Sequence, residues 1–561
     1  MTIELPSNRY TRIEALAKAL RVSLGHAAAL TIFAGQAAQD SLDGREPLGA
    51  SADYSLFVEQ KRPSVRISCL SQAAYDATER PIMIIQSATQ MSFGFWQGRP
   101  IEIERVEENL SSDGGLIAFH QLDQSLGLTE SFASLIRRSE HGCKHTTLSI
   151  VRQRVYGIIA GYEDQNDHDT LRSDPIFKLI AGKQPDEDDL ASQPTISRLE
   201  NSVTARDLLD MEEWFIDRFV ASFKNEPHHI TLDIDTFDDP THGSQQLTFF
   251  HGFYNQYQYQ VRVITCAEND MVVMPVLLFG TAPASLGAAA DLVRVIQKLR
   301  QRFPDVHIHV RADSGFAVPE FYIELEKFSC VDYTVGYQMN PVIVQASETL
   351  LKAVVSAYQD NKSPIREFMS LDYKATRWKT KRKVVIKCEI NAQGTNRRAV
   401  VTNRPGVEIS PQGVYDGYAD RGESENRNKE LKCEFRADRL SDHRYMANLF
   451  RVMLHVIAAN LLVELRTMIA DPPDALPSPD DLPLEVRSPS LKRQQHNRRR
   501  KTDPLGEGHA STWRTMIIKV ATRVIVSTRR VRLLIASSWP YSHLLEKLGH
   551  LLATLPHPHS G

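Results

Sequence analysis

The chain has 561 residues, enough for about three to five structural units. Apolar residues make up 42% and charged residues 24%, so whole-chain disorder is excluded. The six cysteines stand singly, with no C-x-x-C pair; this excludes a disulfide scaffold and a clustered zinc site and fits free thiols in a reducing cytoplasm.

Residues 1–105 hold an apolar helical pattern near Ile13–Phe33 and no motif. They read as an N-terminal extension of unknown role. The start lacks the basic-then-apolar pattern of a signal peptide, and no run of 18 uncharged apolar residues predicts a membrane span. Residues 106–225 open on a Ser-Ser-Asp-Gly-Gly turn. They continue as helices with i, i+3, i+4 apolar spacing, the last starting near a cap at Ser202–Ala205. Short helices joined by polar loops suit a DNA-reading module and any other helical domain equally well.

Residues 226–340 change period. HITLDIDTF, LTFFHGFYN, YQYQVRVITC and MVVMPVLLFG read as strands. An amphipathic helix follows, then the strand VHIHVRAD, a second helix and the strand VDYTVGYQ. Residues 341–415 read as a β-rich insertion with a turn at Gly394, and 416–470 as one amphipathic helical stretch from Ser424 to about Met468. Residues 471–512 are Pro-rich and then basic, a linker, and 513–561 a basic helical tail. Net charge is −3, yet Arg487–Arg532 is strongly basic and holds only two acids, Asp503 and Glu507. Such a stretch suits salt-sensitive contact with a DNA backbone.

The acids carry the chemistry. Asp233 and Asp235 are two apart on one strand, so they share a face. Asp313 ends the strand VHIHVRAD, before a Ser-Gly turn, and Glu425 begins the later helix. Carboxylates at neighbouring strand ends with one from a helix can converge, and crowded like charges call for cations. Hard oxygen donors select Mg²⁺ or Mn²⁺, and two ions about 3.5–4 Å apart clamp a phosphodiester displacement. Asp238 and Asp239, before Pro240, read as turn residues. Tyr418, Arg421, Glu425 and Lys432 follow a Tyr-x2-Arg-x3-Glu-x6-Lys spacing; Glu425 and Lys432 are two helical turns apart. Arg421 can fork onto a phosphate, and Lys432 can meet the same strand as a point charge.

That spacing matches the Tyr-Arg-Glu-Lys motif of the insertion-sequence-4-like superfamily. The chain resembles a bacterial insertion-sequence transposase of the DDE type, the insertion sequence 1380 family in particular. The supporting segments are LSSDGG at 110–115, GYEDQNDHDTLRSDP at 161–175, ASQPTISRLEN at 191–201, LDIDTFDDPTHGSQ at 232–245, RADSGF at 311–316 and RGESENRNKELK at 421–432. The resemblance covers about residues 105–470 and, weakly, the basic tail 513–550. It implies an α/β fold: an RNase H-like mixed-sheet core with a β-rich insertion, preceded by residues 106–225 as a helical DNA-binding region and followed by the basic helical tail.

The resemblance implies Asp235, Asp313 and Glu425 as catalytic, metal-binding acids for two Mg²⁺ ions, with Mn²⁺ as a substitute. The family pattern is Asp-Ala-Thr where this chain has Asp235-Thr-Phe, which leaves Asp233 as the alternative first acid. The implied activity is cut-and-paste transposition by strand cleavage and strand transfer, with or without a hairpin intermediate. The implied partners are double-stranded DNA (terminal inverted repeats and target) and a second copy of the chain. No membrane and no nucleotide cofactor are expected, and the location is the bacterial cytoplasm, at the nucleoid.

Further candidate DNA contacts are Tyr418, Arg421, Lys432, Arg198, and Trp378 with Arg382. Trp378 lies among Arg377, Lys379, Lys381 and Arg382, where an aromatic can stack on an unpaired base. His242 and Gln245 read as groups supporting the first acids. Two competing readings are a non-catalytic, transposase-derived DNA-binding protein and an RNase H-like nuclease without strand transfer.

Overall fold

The computed structural model describes residues 90–93, 99, 101–104, 108–405, 409–470 and 501–555. They fall into two compact units, one ending at Asn109 and the other starting at Leu110. In the first, β1 (Gln90–Phe93) pairs antiparallel with β2 (Ile101–Glu104). The apolar pattern near Ile13–Phe33 and residues 471–500 of the expected linker lie outside the described residues.

The second unit opens on β3 (Leu110–Ser111). Helices α1 (Leu116–Leu126), α2 (Leu128–Ala133), α3 (Thr147–Ala160), α4 (His168–Leu171), α5 (Pro175–Ile180), α6 (Gln193–Ser202) and α7 (Ala205–Ser222) follow. Helix α7 starts with a capping box, in which Thr204 and Asp207 satisfy each other's backbone N–H groups.

The next elements are β4 (His229–Pro240), β5 (Phe249–His251), β6 (Gln256–Cys266), β7 (Val272–Phe279), α8 (Ala288–Arg302), β8 (His307–Ala312), α9 (Pro319–Leu325) and β9 (Val331–Tyr337). Then come α10 (Pro341–Ala346), α11 (Glu348–Asn361), β10 (Ile365–Tyr373), β11 (Arg382–Asn391) and β12 (Gly394–Thr402). All nine strands from β4 to β12 form one mixed sheet, ordered β10-β11-β12-β9-β8-β4-β6, with β5 and β7 both on the far side of β6. Strands β4, β8 and β9 run parallel; the other pairings are antiparallel.

Alternation on β4 sends its side chains into two separate cores. Ile230, Leu232 and Ile234 face one core with α7 and α8. Phe237 faces the other, with the helical region and the long helix α14 described below.

The chain closes with α12 (Pro411–Ala419), α13 (Gly422–Lys429), a π-turn at Glu430–Glu434, α14 (Tyr445–Ile469), α15 (Ala510–Trp513), β13 (Thr522–Ser527), β14 (Arg530–Ile535) and α16 (Ser542–Ala553).

Several expectations change. The helical stretch from Ser424 is broken at Phe435–Arg444, where Arg436 has φ of +61°. Helix α14 is buried on nearly all sides rather than on one face, its polar residues Asn448, Arg451, His455, Asn460 and Arg466 included. It is long and apolar enough to span a membrane by length and composition, but 94% of that window is buried within the protein. Its Asn460 bonds both backbone groups of Val272, closing the edge of β7.

The β-rich insertion begins with two helices, and its strands continue the main sheet through β12 and β9. The run LTFFHGFYN yields only three strand residues, because the chain turns at 252–255 and Asn255 takes φ of +53°. Asp238 and Asp239 belong to β4, not to a turn.

The C-terminal segment is not helical throughout. β13 and β14 form a hairpin, and β13 pairs with β3. Residues expected to end a linker are packed: Leu505 is buried, and Ala510 N donates to Glu430 Oε1 at 2.9 Å.

Candidate active site

Asp233 and Asp235 leave β4 on the face opposite Leu232 and Ile234, and meet different partners. Asp233 is 2% exposed and is held bidentately by Arg311 of β8, both contacts at 2.7 Å. Arg311 also donates to Gly417 O at 2.9 Å, tying β4, β8 and α12 together. Burial raises the Asp233 carboxyl, against Arg311.

Asp235, two residues nearer the strand end, is half-buried. It accepts from Thr236 N at 2.8 Å and from Arg421 Nη1 at 3.0 Å. Arg421 also reaches Glu425, four residues on. Burial, opposed by Arg421 and the Thr236 N–H and reinforced by the charges of Asp313 and Glu425, pushes Asp235 up to about 6. Asp313 follows β8 and caps a short 3-10 turn, accepting from Gly315 N at 2.8 Å. Glu425 lies in the first turn of α13, more than half exposed. That helix is fixed on β6 by the Ser424–Thr265 hydroxyl contact at 3.0 Å and anchored by Arg427 to Asp270 at 2.7 Å.

Tyr418, on α12, lies beside the guanidinium of Arg421, 5.8 Å from ring centroid to Cζ. Burial raises its hydroxyl, with Arg421 opposing and Asp313 and Glu425 adding. Lys432, in the π-turn, pairs with Asp238 at 2.6 Å. The fully buried Asp239 accepts from Leu440 N at 3.4 Å, and burial pushes its carboxyl well up.

Tyr418, Arg421, Asp235, Asp313 and Glu425 thus gather at one end of the parallel strands, with Lys432 held at Asp238. Trp378 and Arg382 do not join them. Trp378 is 4% exposed and ringed by Tyr322, Tyr337 and Tyr373. Arg382 is held bidentately by Glu326 at 2.7 and 2.8 Å. An aromatic within a basic run here fills a core, because helix α9 and the ends of strands β9 and β10 supply three more rings. Arg198 is exposed on α6 and donates to Thr195 Oγ1 at 3.1 Å. Gln245 donates to Leu440 O at 2.8 Å, and His242 is exposed in the same loop.

Two features escape the sequence reading. Gly336, near the end of β9, leaves room for Tyr418: an added Cβ would lie 2.6 Å from its hydroxyl oxygen and 3.0 Å from Ser314 N. A glycine inside an apolar strand is the available signal. The β5–β6 hairpin exposes Phe250, Phe253, Tyr254 and Tyr257, with Phe253 85% exposed. The Tyr254 hydroxyl is raised by burial and by the charges of Asp238, Asp235 and Asp313, with Lys432 opposing, so this hairpin borders the acids.

Three carboxylates against one guanidinium leave an excess of negative charge, and their hard oxygens suit a divalent ion. Among the described residues no three His, Cys, Asp or Glu side chains stand ready to hold a metal. Arg421 bridges Asp235 and Glu425, so a divalent ion and this guanidinium compete for the same oxygens.

Comparison with curated proteins gives no match. Among solved structures, the chain is similar to a piggyBac transposase in a cryo-EM synaptic complex with hairpin DNA, at 11% identity and a TM-score of 0.35; the match covers 70% of this chain and 87% of that one. Residues 93–478 match the family model described as transposase DDE domain, group 1. That match spans more than half of the chain, and the protein belongs to the DDE transposase family.

Proposed function

We propose that this transposase cuts and rejoins DNA by a cut-and-paste route, with Asp235, Asp313 and Glu425 as its catalytic acids. The observation that carries the reading is the gathering of these acids, from β4, the end of β8 and α13, around Arg421. The order β7-β6-β4-β8-β9, three antiparallel strands followed by two parallel ones, supports an RNase H-like core. Asp233 is already neutralised by Arg311, which favours Asp235 as the first acid.

Mg²⁺ ions held by the three acids, or Mn²⁺ in their place, would neutralise the phosphodiester and activate water or a 3′-OH. Arg421, displaced from the carboxylates, turns its fork to a phosphate, and Lys432 adds a second cationic contact. Tyr418 keeps Arg421 beside the acids. Base stacking, expected of Trp378, passes to the exposed rings of Phe253 and Tyr254. Acting on two element ends together favours a homodimer, and the motif set favours the insertion sequence 1380 family.

The test uses purified protein, Mg²⁺ and labelled duplexes carrying the ends of its own element. Wild type yields cleaved and joined strands, and Asp313→Ala lowers the rate at least about 100-fold. Cleavage without joining would point to a nuclease. The Arg421 bridge across two acids favours a second reading, a non-catalytic DNA-binding derivative; binding without cleavage by the wild type would establish it.

A further inference from the structure

The C-terminal hairpin has two unlike faces. Side chains alternate along β13 and β14, and the antiparallel register sets Arg523 opposite Leu534, Ile525 opposite Arg532 and Ser527 opposite Arg530. The inner face carries Val524, Val531 and Leu533, which pack on the core shared by the helical region and α14. The outer face carries Arg523, Arg530 and Arg532, all exposed, and Arg529 is exposed in the turn between the strands.

No Asp or Glu occurs in the sequence between Glu507 and Glu546. Among the described residues Arg529, Arg530 and Arg532 have no acidic partner. The hairpin is also firmly seated. Thr522 pairs with Ser111, Gly114 N and Gly115 N donate to Val520 O and Ile518 O, and Lys519 pairs with Asp113 at 2.6 Å. A Cβ on Gly114 would fall 1.8 Å from Thr522 Oγ1, so the Gly-Gly pair permits this close approach.

We propose that the outer face of this hairpin is a duplex-DNA surface that enters the major groove at the element end. The major groove accepts a two-stranded ribbon. A ribbon whose charged side chains are all arginine complements phosphate charge, and arginine can fork onto phosphate oxygens or onto the O6 and N7 edge of guanine. Apolar packing of the inner face holds the arginines at fixed cross-strand spacing, which reading a groove requires and a floating basic tail lacks. The inference rests on the DNA-transposase reading above.

The test measures fluorescence anisotropy of full-length protein with a duplex carrying the end of its own element and with a scrambled duplex of equal length. Arg530→Ala/Arg532→Ala is expected to weaken binding of the end duplex about 10- to 100-fold, with an unchanged melting temperature because both side chains are exposed. Arg530→Lys/Arg532→Lys is expected to keep affinity for the scrambled duplex but lose the preference for the end, since lysine keeps the charge without the fork. Wild-type affinity in the alanine pair would overturn the proposal and leave the face to an acidic protein partner. Full preference in the lysine pair would overturn the groove reading. A wild type that binds no DNA fails the transposase reading itself; a wild type that cleaves, matched by both variants, fails the ribbon alone.

Discussion

Asp235 shows how one buried charge is held for use. The folded chain keeps its proton up to about pH 6, whereas an unfolded aspartate releases it near pH 4. Ionisation therefore costs stability, and the cost develops as pH rises from about 4 to about 6. With chelator present, Asp235→Asn is expected to melt above wild type at pH 7.5, and the gap should close by about pH 4. Equal melting at pH 7.5 would mean that Arg421 already compensates the charge. Asp233, two residues away, shares the strand face but has lost its freedom to Arg311. Spacing alone could not separate the two acids, because the partner comes from a strand 78 residues further on.

At the scale of elements, the site depends on close approach between β9 and α12. Gly336→Ala is expected to push the Tyr418 hydroxyl out of place, slowing cleavage with little change in unfolding. Adding Tyr418→Phe removes the clashing oxygen and should recover part of the rate. Unchanged cleavage in Gly336→Ala would show that Tyr418 has room to move without cost. The π-turn at Glu430–Glu434 also matters: it changes the rotation per residue after α13, and Lys432 within it pairs with Asp238. Regular helical spacing could not anticipate that rotation.

At the scale of the molecule, the C-terminal segment is part of the core. Trp513 is fully buried, packs edge-on against Phe119 at 5.8 Å and donates to Leu505 O at 3.0 Å. Trp513→Ala is expected to cost about 3–5 kcal/mol, read as a lower urea midpoint. A midpoint equal to wild type would mean that the segment is detachable.

The sequence by itself determined the elements whose period is local: the alternating strands around Asp235 and Asp313, the amphipathic helix between them and the cap of α7. It also determined the motif spacing that pointed to a transposase. Tertiary structure decided what depends on partners distant in sequence. It buried Trp378 among three tyrosines, paired Asp233 with Arg311 and joined the insertion to the main sheet. It also turned a basic tail into a ribbon seated on Gly114 and Gly115. The physical reason is common to all four: charge, aromaticity and β-pattern specify what a side chain can do, while burial and pairing are set by residues that only the fold brings near.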